Sequence, residues 1–268
     1  MNTRSRLATI MTLFISALAI YASLKGVLDE NLYRDVFLAG TISELLIGGS
    51  IAQDIITIPL ALIMGFLSVM YLIKPNFKSF ITIIGLATYF FYAYGLYTIQ
   101  GQYTSIYLVY LAIFSMSIYS IILGLLSFEL NEVRLYILPK KVSLAAGIFL
   151  SMILIILVPV WLMMITSNIA GHIPADTYGV FILDLGIVFP ALGIIIVSLW
   201  RKNPFAVILV GVALIKAFTI CLSWGFAQWF GSYYGNYQLD YVMTAIPSVL
   251  TSIGLILIIL YIRGLQKE

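Results

Sequence analysis

Phe205-Ala-Val-Ile-Leu-Val-Gly-Val-Ala-Leu-Ile-Lys216-Ala-Phe-Thr-Ile-Cys-Leu-Ser-Trp-Gly-Phe-Ala-Gln-Trp-Phe230 decides the class of this protein. The run exceeds the roughly 20 apolar residues that a helix needs to cross a bilayer. Its single charge, Lys216, falls near the middle. An ammonium in hydrocarbon costs about 3 kcal/mol on insertion scales and more in simulations of isolated helices. Something must compensate it, such as a buried carboxylate or a water-filled cavity.

The rest of the chain has the same character. Hydrophobic residues make up 62% of the 268 and charged residues only 9%, too few to clothe a water-exposed surface of that size. Eight segments are long and apolar enough to span: 7–27, 52–73, 79–99, 104–127, 143–166, 177–200, 205–230 and 240–262. The expected fold is all-α, a polytopic bundle of eight transmembrane helices forming one membrane domain over 1–268.

Basic residues orient it. With the N-terminus inside, the inner loops hold Arg4, Arg6, Lys74, Lys78, Arg134, Lys140, Lys141, Arg201, Lys202, Arg263 and Lys267, and the outer loops only Lys25 and Arg34. Both termini are thus expected in the cytoplasm, with the protein multi-pass in the cell membrane. The net charge of +3 follows from this topology and implies no nucleic-acid partner. The first segment has the basic start of a signal peptide, but its apolar run is long and no clear small-x-small site follows, so a retained first span is expected.

Two capping boxes stand before the second span. Thr41-Ile-Ser-Glu44 predicts a short interfacial helix on the outer side, and Ser50-Ile-Ala-Gln53 predicts the start of the span itself. An internal duplication also suggests itself. Asp54 precedes Pro59 in span two and Asp184 precedes Pro190 in span six, each before a basic inner turn containing Asn and Pro (Lys74-Pro-Asn-Phe77 and Arg201-Lys-Asn-Pro-Phe205). Gly85-Leu-Ala and Gly211-Val-Ala follow. Equal orientation makes this a parallel 4+4 repeat with halves 1–130 and 142–268; chance matches between apolar segments are the alternative.

The candidate site gathers intramembrane polar residues. Spans six and seven join at a turn around Lys202, with Asp184 18 residues up one helix and Lys216 14 up the other. The offset is ~6 Å at the α-helical rise, within reach of a lysine side chain. An Asp184–Lys216 pair is therefore expected, either lining a ligand or ion pathway or acting as a clamp that fixes helix register. Asp54 reads either as an acid complementing a helix N-terminus or, with Gln53 beside it, as the outer step of a vestibule. Tyr89, Tyr92, Tyr107 and Tyr110 lie deep enough to need hydrogen-bond partners, and Thr219, Ser223 and Trp224 flank Lys216 on span seven. Tyr97, Tyr103, Trp229, Tyr233, Tyr234 and Tyr237 fit an interfacial aromatic belt. Pro59, Pro159, Pro190 and Pro247 interrupt four spans, as kinks around a cavity or as packing bends.

Other chemistry finds no support. His172 is the only histidine, so neither a His-based metal site nor a bis-His haem is indicated. No phosphate loop, dinucleotide fingerprint or nucleophile elbow occurs, and no cofactor is expected. Gln53-Asp54, Tyr89-Phe-Phe-Tyr-Ala-Tyr94, Leu183-Asp-Leu-Gly186 and Lys216-Ala217 resemble a group of prokaryotic integral membrane proteins to which no activity is assigned. The resemblance implies the same fold and no reaction.

The partners expected are the bilayer and a small molecule or ion entering from the outer side. The foremost reading is a transporter-like protein for a small solute, or one coupled to an ion such as the proton. A sensor or accessory subunit without transport, and a membrane enzyme acting on a lipid or isoprenoid group, are the alternatives. The enzyme reading lacks a nucleophile or metal set. Nothing in the sequence specifies an oligomeric state.

Overall fold

The computed structural model describes residues 2–235 and 238–268; Tyr237 lies outside the described residues. Among the described residues the fold is all-α, with eight helices long and apolar enough to cross a membrane. Spans one to four are Thr3–Leu28, Glu44–Ile73, Phe77–Ile99 and Tyr107–Leu125. Spans five to eight are Lys140–Gly171, Tyr178–Trp200, Ala206–Tyr234 and Tyr241–Gly264. Large apolar side chains such as Phe14, Phe66, Leu108, Ile155, Ile194 and Ile256 stay exposed around the bundle. An exposed apolar surface of that extent suits lipid and not water.

The two chain ends meet on one face of the bundle. Strand β1 (Tyr136–Ile137) pairs antiparallel with β2 (Gln266–Lys267), and the Asn2 side chain donates to the Ser127 carbonyl. We call this the terminal face and its opposite the far face. Helix starts are capped on both. Asn2 and Asn76 cap spans one and three on the terminal face, and Asp240 caps span eight on the far face.

Span seven is the axis. It packs against spans two, three, six and eight, and most of its membrane-facing length is buried, as is that of span three. Span five lies at the periphery, largely exposed.

Three sequence expectations are corrected here. The short helix of the long far-face connection is Asn31–Leu38, earlier than Thr41. It stops at Gly40, whose positive φ of 76° ends helical geometry. Neither capping box forms. Span two starts at Glu44 with Ser43 as an N-cap that makes no side-chain bond, because the apolar Leu45–Ile51 stretch continues the helical run. Asp54 consequently lies about 15 Å inside the helix and not in its first turn, which removes the helix-dipole reading.

Span six is irregular where it matters. Asp184–Val188 forms a π-turn, with the Phe189 amide donating to the Asp184 carbonyl. Pro190 follows directly and has no amide to offer, so the local helix is already short of a donor. A π-turn holds one residue more than the α-helical path and is common at functional sites.

Candidate functional site

Two buried carboxylates organise the interior, and their surroundings differ. Asp54 is 1% exposed. Ser23 of span one donates to its Oδ1 at 3.1 Å, and Tyr97 of span three approaches the same oxygen at 3.3 Å. Tyr33 of the short helix donates to Oδ2. Tyr97 has a single proton and also faces the Ser50 carbonyl at 3.0 Å, so it serves one acceptor at a time. Tyr94 lies against Ser23, and Tyr110 against Tyr33. Burial and the neighbouring Asp54 push the Tyr33 phenol well above its ordinary pKa, so it stays a hydroxyl donor. Gly26 makes this closure possible, since a methyl group there would collide with the Asp54 carboxylate and the Tyr33 hydroxyl.

Asp184 and Lys216 stand in a different setting. A cavity of about 400 Å³ runs between spans two, three, five, six and seven, a size that holds a small molecule. Its polar lining includes Asp184, Lys216, Gln53, Gln100, Gln102 and Gln228. Aromatic walls come from Tyr92, Tyr97, Trp161, Phe181, Phe189 and Trp224. Leu46, Met243 and Thr177, near the far-face ends of their spans, edge it at one end, while Ile153, Leu192 and Lys216 lie deeper.

The expected ion pair does not form. Lys216 has no carboxylate oxygen within 4.0 Å among the described residues. Its Nζ lies 3.6 Å from the centroid of the Tyr92 ring, a cation–π contact. The Tyr92 hydroxyl lies beside Asp184, so one tyrosine stands between the two charges. Asp184 Oδ2 instead accepts the Trp161 indole N–H at 2.7 Å. Straight-helix counting across the Lys202 turn misses this because the π-turn changes the register of span six at Asp184.

The expected site residues divide accordingly. Lys216, Asp184, Gln53, Tyr92, Ser223 and Trp224 line the cavity. Asp54 and Tyr110 belong to the closed cluster behind Tyr97. Tyr89 bonds Thr57 at 2.7 Å and lies beside Ser223, connecting the two regions. Thr219 bonds back to the Ile215 and Lys216 carbonyls of its own helix and does not line the cavity. Tyr107 packs on Tyr103 and donates to the Thr98 carbonyl. The single vestibule descending from Asp54 to Lys216 is therefore replaced by two compartments with Tyr97 and Gln53 in the wall.

Among the participants that escaped the sequence reading are Trp161, Tyr33 and Ser23. Tyr97, assigned there to the interfacial belt, is 3% exposed and belongs to the Asp54 cluster. Tyr103, Trp229, Tyr233 and Tyr234 are exposed. No protein-family model, curated protein or solved structure matches the chain.

Proposed function

We propose that this chain is a prokaryotic cytoplasmic-membrane protein, transporter-like in build, that admits a small polar ligand to the Lys216–Asp184 cavity from outside. The observation that carries this reading is that two opposite charges face one cavity of about 400 Å³ without closing on each other. A structural clamp would bring them into contact, since a buried charge is compensated best by a direct partner. Charges held apart by a tyrosine, in a space edged by side chains at one end, are arranged for a third participant.

The terminal face is cytoplasmic in this proposal. Its loops carry Arg4, Lys78, Arg134, Lys140, Arg201 and Arg263, whereas Lys25 and Arg34 lie toward the far face. The far face, where the cavity is edged, is then outside.

We read the single membrane domain as two parallel halves, 1–130 and 142–268. The neighbour pattern supports this. Span one packs on spans two, three and four, as span five does on six, seven and eight. Three meets four as seven meets eight, and two meets three as six meets seven. Across the halves, span two meets seven and span six meets three. The Asp–Pro spacings agree too, since the π-turn supplies the extra residue that separates Asp184 from Pro190. In each half the aspartate accepts from the half's first span, Ser23 in one and Trp161 in the other. The glycines lend nothing: Gly85 packs against Ile215 and Gly211 against Tyr261.

The test is a thermal-shift screen of the purified protein in detergent against ions, amino acids, sugars and lipids, repeated on Ala227→Trp. Ala227 lines the cavity from span seven, and an indole there fills it. The proposal expects at least one compound class to raise Tm in the wild type and not in the variant. Equal shifts in both, or none in either, would sink it.

A further inference from the structure

The chemistry of the cavity narrows the ligand, given that the cavity is a ligand site as just proposed. We infer that it recognises a zwitterion of the α-amino-acid class with an apolar or aromatic side chain, its carboxylate on Lys216 and its ammonium on Asp184. The two protein charges are opposite and line the same cavity, yet among the described residues no carboxylate oxygen lies within 4.0 Å of the lysine nitrogen. A group carrying one charge of each sign can meet both from the cavity they share, and a simple anion or cation leaves one of them unanswered.

Both protein groups have capacity to spare. An ammonium offers three donors, and the Tyr92 ring face meets Lys216 on one side only. A carboxylate has about four acceptor positions. At Asp184 the Trp161 indole and the adjacent Tyr92 hydroxyl account for two of them. The Asp54 carboxylate, by contrast, is enclosed by hydroxyls from three elements and lies outside the cavity lining.

The walls select the rest of the ligand. Trp161, Trp224, Phe181 and Phe189 face the same space with Leu157, Val180 and Ile220. These surfaces suit an apolar or aromatic side chain and offer little to a sugar, which needs polar partners along its length. Gln53, Gln100, Gln102 and Gln228 supply uncharged polar contacts on the way in.

Intrinsic fluorescence provides the test, because Trp161 and Trp224 line the cavity. The purified wild type is titrated with L-phenylalanine, with phenethylamine and with 3-phenylpropanoate, which share one ring and differ in charge. L-Phenylalanine is expected to give a saturable change, with each singly charged analogue binding at least ~10-fold more weakly, as for sites built around hydrogen-bonded groups. Lys216→Met and Asp184→Asn should each lose at least ~10-fold for the amino acid, for the same reason. The double variant Lys216→Met/Asp184→Asn, free of either charge, should keep the wild-type Tm and still fail to bind, which separates recognition from folding. Phenylpropanoate binding as tightly as phenylalanine, with Asp184→Asn silent, would overturn the zwitterion and leave the cavity reading intact. Phenethylamine binding as tightly, with Lys216→Met silent, would do the same. If none of the three binds while another class passes the Ala227→Trp screen, the amino-acid assignment fails and the cavity stands. Failure of both experiments removes the cavity reading itself.

Discussion

Asp54 and Asp184 each stand ahead of a proline in a membrane-length helix, yet their surroundings differ. Asp54 is closed in by Ser23, Tyr33 and Tyr97, with Tyr94 and Tyr110 behind them. Asp184 has one indole donor and a tyrosine neighbour, and it faces a cavity shared with Lys216. The lesson is that burial in a membrane helix does not by itself fix a carboxylate's surroundings. What separates these two is the space beside them: Asp184 lines the cavity, and Asp54, behind Tyr97, does not.

The sharpest way to break the comparison is to open the closed side. Asp54→Ala takes the shared acceptor from the Ser23 and Tyr33 hydroxyls, while Tyr97 keeps the Ser50 carbonyl; each buried group left unsatisfied costs ~1–3 kcal/mol. A loss of about 3–5 kcal/mol is expected in chemical or thermal unfolding. Gly26→Ala should produce a comparable defect from the other side of the same contact, by driving a methyl into the carboxylate.

The open side should respond less. Lys216→Met alone leaves Asp184 as an unbalanced charge, but one that faces an open cavity, so about 1–2 kcal/mol is expected, below the cost of breaking a direct buried pair. Asp184→Asn added to it should restore that loss and return the double variant to the wild-type value. Trp161→Phe keeps the ring and removes one hydrogen bond, for about 1 kcal/mol. Tyr107→Phe tests a tyrosine that the structure separates from both clusters. Its bond to the Thr98 carbonyl is half-buried, and about 0.5 kcal/mol is the expected change, the low end for a single bond.

The sequence carried the fold because hydrocarbon imposes a length rule. Each of the eight helices has a long apolar run, and the anomalies within such runs, Asp54, Asp184 and Lys216, are visible without a structure. What the sequence could not give was partnership across the bundle. Trp161 is a tryptophan in an apolar span, indistinguishable by type from a lipid-facing anchor, until span six brings Asp184 to its indole. Tyr33 lies in a connection, and only the fold of Asn31–Leu38 lowers it onto Asp54. One clue to the irregularity was present: Asp54 precedes its proline by five residues and Asp184 by six. The odd residue is the π-turn, and with it the register of the expected ion pair changes.

Unfolding of Asp54→Ala beside the Lys216→Met/Asp184→Asn double variant, in one detergent and at one pH, tests the division between closed and open sites most directly. A Tm well below wild type for Asp54→Ala, with the double variant at the wild-type value, is the predicted result. A double variant that unfolds as early as Asp54→Ala would contradict it, because the cavity charges would then be holding the bundle together.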